Sequence, residues 1–218
     1  MLKKVLYVFA FCTPFVSTQA ANLGLSPSAL KLKVYKFAVS TNPLCTDLVT
    51  VVDNGSTPLE VDFSGSVNLG SGSLADGTYP CVVIEMSDRI KYTSASTSTA
   101  GNCVSGTEYT LDVCSSGTSK LVDGTTVTCS AAENKVALHI STASTASTGS
   151  DVFVAPTTVG DGSKGLMLAA ALTVSGSTSG KFTVNPTGKV CDRADAGCEG
   201  GGGTTCEMAP PVFTFSKQ

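Results

Sequence analysis

Nine cysteines punctuate a 218-residue chain that has one histidine and no tryptophan. Cys12 lies in an apolar N-terminal stretch. The others are Cys45, Cys81, Cys103, Cys114, Cys129, Cys191, Cys198 and Cys206. An even set of this kind, in a chain built for export, reads as a disulfide framework. Structural zinc sites usually place cysteines in closely spaced pairs. No such pair occurs here, and His139 is the sole histidine, so no metal is expected. The count leaves the connectivity open. The pairing expected is Cys45 with Cys81, one or two bridges involving Cys103, Cys114 and Cys129, and one within Cys191, Cys198 and Cys206. Three cysteines in each of two segments cannot all pair internally, so one bridge should join the segments.

The N-terminus supports export. Met1-Leu2-Lys3-Lys4 is a short positive segment, Val5 to Val16 is mostly apolar, and Ser17-Thr18-Gln19-Ala20 supplies small residues at a cleavage site. Residues 1–20 read as a secretory signal peptide, cleaved after Ala20 or Ala21. A membrane span needs roughly 20 apolar residues to cross about 30 Å of hydrocarbon, and this stretch is shorter. No later segment is long enough either. Phe11 before Cys12 is a poor fit for a lipidated cysteine. The protein is therefore expected outside the cytoplasm: secreted, periplasmic or on the cell surface.

Composition narrows the class. Charged residues make up 14% of the chain and the formal net charge is −3. A nucleic-acid surface needs a clustered excess of Lys and Arg, which is absent. Strand-forming residues recur in short blocks between turn residues. These blocks are Lys31–Val39, Leu48–Val52, Leu59–Phe63, Cys81–Met86, Tyr109–Val113, Thr125–Cys129, Val136–Ile140, Val152–Val154, Leu166–Val174, Lys181–Val184 and Val212–Phe215. Asp53-Asn54-Gly55 reads as a hairpin turn. The nearly continuous apolar run from Cys81 to Met86 reads as a central strand buried on both faces. The fold class is thus all-β, a disulfide-bonded β-sandwich of about eleven short strands with little or no helix. Residues 21–190 would form the sandwich. Residues 191–218 would be a cysteine-containing C-terminal segment whose final strand packs on it. Ser94–Thr99 and Ser141–Ser150 read as solvated loops or exposed β edges, and Glu199–Gly203 as a flexible insert. Asn54-Gly55-Ser56 is an acceptable glycosylation sequon within the expected turn.

Asp76-Gly77-Thr78-Tyr79-Pro80, leading into Cys81–Met86, resembles a hairpin of prealbumin-like β-sandwich domains in bacterial exported and surface proteins. The order of Gly165–Leu168, Leu172–Val174 and Gly180–Val184 is similar to theirs. In outline the likeness covers residues 30–190. It implies a sandwich, Greek-key or prealbumin-like, and carries no catalytic residues across.

Four constellations invite chemistry. Gly160-Asp161-Gly162-Ser163-Lys164-Gly165 matches G-x-G-x-x-G, but a dinucleotide site needs a helix after it. A strand is expected there, so the match reads as a turn. Ser28-Ala29-Leu30-Lys31 matches S-x-x-K without the partner motifs of serine acyl-transfer enzymes. His139 could serve as a general base, yet Leu138-His139-Ile140 places it opposite its apolar neighbours, towards solvent. Asp192, Asp195 and Glu199 could offer oxygen ligands to calcium, but Arg193 opposes a cation and the spacing suits a disulfide-closed loop. No catalytic residue and no cofactor is therefore expected. The resulting expectation is an exported structural or binding module of a bacterial envelope or surface, adhesive or fibre-associated, with other envelope or surface proteins as partners. A secreted ligand-binding domain of unknown ligand is the alternative, and a hydrolase using His139 is the weaker one.

Overall fold

A computed structural model describes residues 24–64, 74–146, 151–176, 180–195, 198 and 203–217. Over these residues the protein is all-β, without a helix. Among them no helix is long and apolar enough to cross a membrane. In chain order the strands are β1 (Pro27–Ser40), β2 (Val49–Asp53), β3 (Leu59–Asp62), β4 (Gly77–Tyr79), β5 (Cys81–Ser87), β6 (Arg89–Ser94), β7 (Glu108–Asp112), β8 (Thr118–Lys120), β9 (Thr126–Thr128), β10 (Lys135–Ser141), β11 (Leu166–Met167), β12 (Leu172–Val174), β13 (Gly180–Asn185), β14 (Val190–Asp192), β15 (Cys206–Met208) and β16 (Val212–Lys217).

Strand pairing organises an eight-stranded main sheet around β1. Val34 of β1 opposes Met86 of β5 on one side and Leu59 of β3 on the other. Lys31 opposes Lys91 of β6 and Asp62 of β3. Lys36 opposes Glu85 of β5 and Asp53 of β2. So β5 and β6 run end to end along one side of β1, and β2 and β3 run end to end along the other. β10 then pairs with β5, and β7 with β6. Asp88 sits buried between β5 and β6 and joins these outer neighbours. Its carboxylate accepts from the Asn134 backbone N–H at 2.9 Å and Nδ2 at 2.7 Å, and its carbonyl accepts from Val113 N–H at 2.9 Å.

This arrangement corrects the expected hairpin at Asp53-Asn54-Gly55. β2 and β3 pair with β1, not with each other. The turn loops out between two collinear segments, with Asn54 N–H donating to the Tyr35 carbonyl at 2.8 Å. Gly55 does take a positive φ of 64° there, the backbone geometry that favoured glycine in the first place. The strand count also differs, sixteen against about eleven expected. β6 was not expected, although Arg89 and Lys91 alternate with the buried Ile90 and Tyr92 as in a strand with one wet face. β8, β14 and β15 are three-residue strands carrying Ser, Thr, Cys or Asp. Leu166–Val174 splits into β11 and β12. Val152–Val154 is a turn, closed by Val154 N–H on the Asp151 carbonyl at 3.0 Å.

Both faces of the sheet centre are covered. On one face Val82, Ile84 and Met86 of β5 meet Leu30, Leu32, Val34, Phe37 and Val39 of β1 and Val136, Leu138 and Ile140 of β10. A bulge between Val34 and Lys36 switches the alternation, which keeps Phe37 and Val39 on that face. Leu172, Val184, Val190, Met208 and Phe213 belong to the same core. They come from the two-stranded pairs β4–β12, β13–β16 and β14–β15, which form the second layer. On the other face a smaller core joins Ala38, Cys81, Val83 and Ala137 to Leu121 of the β8–β9 hairpin and to Cys45. All seven residues of β5 are buried. Beyond the hairpin that face is open, and cross-strand ion pairs neutralise it: Lys31–Glu108, Lys91–Glu60 and Arg89–Asp112. Pairs this exposed contribute about 0–1 kcal/mol each.

The eight cysteines form four disulfides: Cys45–Cys81, Cys103–Cys206, Cys114–Cys129 and Cys191–Cys198. Cys103–Cys206 links the main sheet to the second layer. The disulfide-bonded sandwich therefore has a cross-link in each of its coverings, and such bridges are at home in an oxidising environment.

The double burial of β5 yields the first prediction. Ile84 is wholly inaccessible. Ile84→Ala, with all bridges intact, should lose about 2–5 kcal/mol by denaturant midpoint, the usual cost of such a truncation. Ser96→Thr, on an exposed loop residue, should barely move the midpoint. Equal shifts for the two variants would place β5 outside the core.

Candidate functional site

An apolar cavity of about 100 Å³ lies between the two layers. Its floor is Leu30 and Leu32 of β1, Met86 of β5, Ile90 of β6 and Leu138 of β10. Met208, Ala209, Pro210, Pro211 and Phe213 make the roof. Phe63, Val113, Val152, Phe153, Leu166 and Val184 close the sides. Every lining residue is apolar. The roof is held from several directions. Cys206 is bonded to Cys103, and the Tyr92 hydroxyl donates to the Cys206 carbonyl at 2.7 Å. Ala209 N–H donates to the Lys189 carbonyl at 2.8 Å, and Phe213 bridges Leu168. Burial, with the nearby Glu207 and Tyr109 adding to it, pushes the Tyr92 phenol well above its ordinary value, so it stays a neutral donor.

None of these residues stood out in sequence. They come from segments spread from Leu30 to Phe213, and a cavity has no local periodicity. The Ala209-Pro210-Pro211 run between two strands was the single local cue, since two prolines cannot continue a ladder.

His139 is a correction. It does not face solvent: it is 3% exposed. The expectation took the far side of β10 to be wet, but the β8–β9 hairpin and the Asp151–Pro156 segment cover it. Ser119 Oγ accepts from Ala137 N–H at 2.8 Å, and the Val152 carbonyl accepts from His139 N–H at 3.1 Å. The ring places Nδ1 3.0 Å from the Ala137 carbonyl, which assigns its proton to Nδ1. Among the described residues no serine or cysteine side chain hydrogen-bonds to the ring. Burial drives its pKa down to about 4, with Lys120 contributing and the Ala137 bond opposing.

Glu85 shares that face and went unnoticed in sequence, inside an apolar run. It is fully buried. Oε1 accepts from Val122 N–H at 2.7 Å, which docks the β8–β9 hairpin, and Oε2 lies 3.6 Å from Lys135 Nζ. The one charge in β5 thus fastens the cover over its own strand.

The acidic candidates act on backbone. Asp192 is buried and accepts from Ser98 Oγ at 2.6 Å, Asn102 N–H at 2.8 Å and Asn102 Nδ2 at 2.9 Å. Burial alone would raise its pKa, yet these bonds and that from Ala194 N–H outweigh it and hold the carboxyl well below the usual range. Asp195 accepts from Thr99 N–H at 3.1 Å and Ala100 N–H at 2.8 Å. Both carboxylates thus face donors from one loop, an arrangement suited to clamping chain rather than holding a cation. Glu199 lies outside the described residues. Among the described residues no cluster of three or more acidic, histidine or cysteine side chains could hold a metal ion. This clamp also corrects the reading of Ser94–Thr99 as wholly solvated, because Ser94 and Ser98 are buried. In Ser141–Ser150, Ser141, Ala143, Ser144 and Ala146 are likewise buried, and residues 147–150 lie outside the described set.

The glycine-rich match is a loop gathered around Asp161. Thr157 N–H, Ser163 N–H and both hydroxyls donate to its carboxylate, which lowers its pKa far below the ordinary value. β11, not a helix, follows it. Ser28 and Lys31 of the S-x-x-K match lie in β1, where Ser28 Oγ donates to the Thr93 carbonyl at 3.3 Å and Lys31 pairs with Glu108. The two side chains have separate partners.

The buried histidine makes a pH prediction. In the unfolded chain its pKa returns to 6.5, against about 4 in the fold. Between these values the unfolded chain takes up a proton that the fold excludes. Stability should therefore be intact above pH 6.5 and fall as pH drops towards 4, by about 3 kcal/mol in all. Denaturation curves should show a slope between pH 6.5 and about 5 in the native sequence that is lost in His139→Leu, since depressed carboxyls such as Asp161 and Asp192 add their own slope only below about pH 5. An unchanged slope in the variant would show that the imidazole does not titrate as a buried group.

Compared with known proteins, the chain matches no family model, no curated protein and no solved structure.

Proposed function

We propose that this protein is an exported structural or binding module of a bacterial cell envelope or surface and works without catalysis. The four-disulfide framework is the observation that carries the reading. Bridges of this number form and persist in oxidising compartments and are rare where thiols are kept reduced. The positive, apolar and small-residue order of Met1–Ala20 supplies the export route.

Two further features favour binding over chemistry. The β2–β3 edge pairs with β1 alone and carries the half-exposed Val49 and Leu59. An edge of this kind can accept a strand from another envelope or surface protein. The single histidine is packed away, which removes the side chain most suited to general-base work. The prealbumin-like resemblance belongs to the same proposal, since a sheet layered with short two-stranded pairs suits it. A ligand-binding domain is the second reading, favoured by the apolar cavity.

The test is processing in a bacterial host with an oxidising envelope compartment. The protein recovered from that compartment should begin at Ala21 or Asn22 by intact mass and show no free thiol when denatured without reductant. A chain that stays in the cytoplasm with Met1 retained, or that shows more than one free thiol, would contradict export and the framework together.

A further inference from the structure

We propose that the cavity under Met208–Pro211 binds a small neutral hydrocarbon group, a single ring or a short alkyl segment. The inference does not depend on where the protein resides.

Protein interiors pack closely, and an unfilled volume has a stability cost that grows with its size. A flexible roof over such a void would sink onto the floor. This roof is held up. The Cys103–Cys206 bond and the Tyr92 hydroxyl anchor its start, the Ala209 bond to Lys189 holds its middle, and the Phe213 bridge to Leu168 holds its end. Pro210 and Pro211 stiffen the span between, because each ring fixes φ. The void therefore survives for a structural reason.

Water does not suit the space. A buried water needs roughly two to four polar partners, and the lining side chains supply none. Over Ala209–Pro211 the roof backbone supplies no free donor either. Pro210 and Pro211 lack an N–H, and that of Ala209 is engaged. A charged or hydrogen-bonding guest would lose its hydration without replacement. An apolar guest would gain the dispersion contacts that the walls now lack. Dry apolar cavities of a comparable order, about 150 Å³, accept benzene. The guest is thus set at a few carbons within the cavity. Val113, Val152 and Ala209–Pro211 are partly exposed, so the opening lies on their side. A free small molecule could enter there, or the end of a longer chain whose polar head stays outside.

The experiment uses oxidised full-length protein carrying ¹³C-methyl methionine. The chain has four methionines. Met86 and Met208 line the cavity and Met167 does not. Benzene and decanoate are titrated separately. Saturable shifts confined to Met86 and Met208 are expected with at least one of them. Benzene alone would identify a free ring as the guest, and decanoate alone a chain end. Ala209→Leu, which builds a side chain into the void, should weaken binding by about tenfold or more. If that variant does not fold, the methyl map of the unaltered protein decides. No saturable shift with either probe, shifts that include Met167 equally, or binding unchanged in a folded Ala209→Leu variant would overturn the proposal.

Discussion

The burial of β5 on both faces is the constraint on which the rest of the structure depends. Its backbone is paired by β1 on one side and β10 on the other, and its side chains meet a core above and a core below. Each fully buried Val or Ile contributes about 1.5–3 kcal/mol relative to exposure. That gain is available only if both faces are roofed. The second layer of short two-stranded pairs roofs one face, and the β8–β9 hairpin roofs the other. Glu85 fits this logic. A carboxylate in the middle of such a strand would be costly alone. Its Oε1 takes the Val122 N–H of the covering hairpin, while Oε2 has no hydrogen bond and lies 3.6 Å from Lys135 Nζ, so the cover meets half of the carboxylate's demand and the lysine offsets its charge.

The covers themselves are thin. Aromatic residues make up 6% of the chain and tryptophan is absent, so few large side chains are available to glue layers together. Covalent bonds and carboxylates take over that work. Cys114–Cys129 closes the segment that carries β8 and β9. Cys103–Cys206 ties the second layer to the loop after β6, and Asp192 and Asp195 hold the same loop by its backbone. Asp88 and Asp161 do likewise at the strand junction and at the glycine-rich loop. Acidic residues that resemble ligand sets in sequence serve here as acceptors for N–H groups that loops leave unpaired.

Some of this was legible beforehand and some was not. The run from Cys81 to Met86 announced a doubly buried strand because nothing in it asks for water except Glu85. The cysteine arithmetic required a link between the two cysteine-rich segments, and Cys103–Cys206 is that link. What escaped depended on partners far away in sequence. His139 alternates with apolar neighbours, and alternation says that two faces differ without saying that one is wet. Ser98 looks like a loop residue until Asp192, 94 positions on, is folded against it. Asn54-Gly55 carries the chemistry of a tight hairpin, yet β1 is long enough to pair with both flanking segments in line. The cavity is a product of how the roof is tethered, and no stretch of residues encodes it alone.

Amide hydrogen exchange in the oxidised protein tests the central role of β5 most directly. The amides of Val82–Met86 should be among the slowest in the molecule and should exchange only by global unfolding. Those of the β2 edge, Val49–Asp53, should exchange far sooner by local opening. Exchange in β5 as fast as in β2 would contradict the account, because a strand paired on both sides and roofed on both faces cannot open alone.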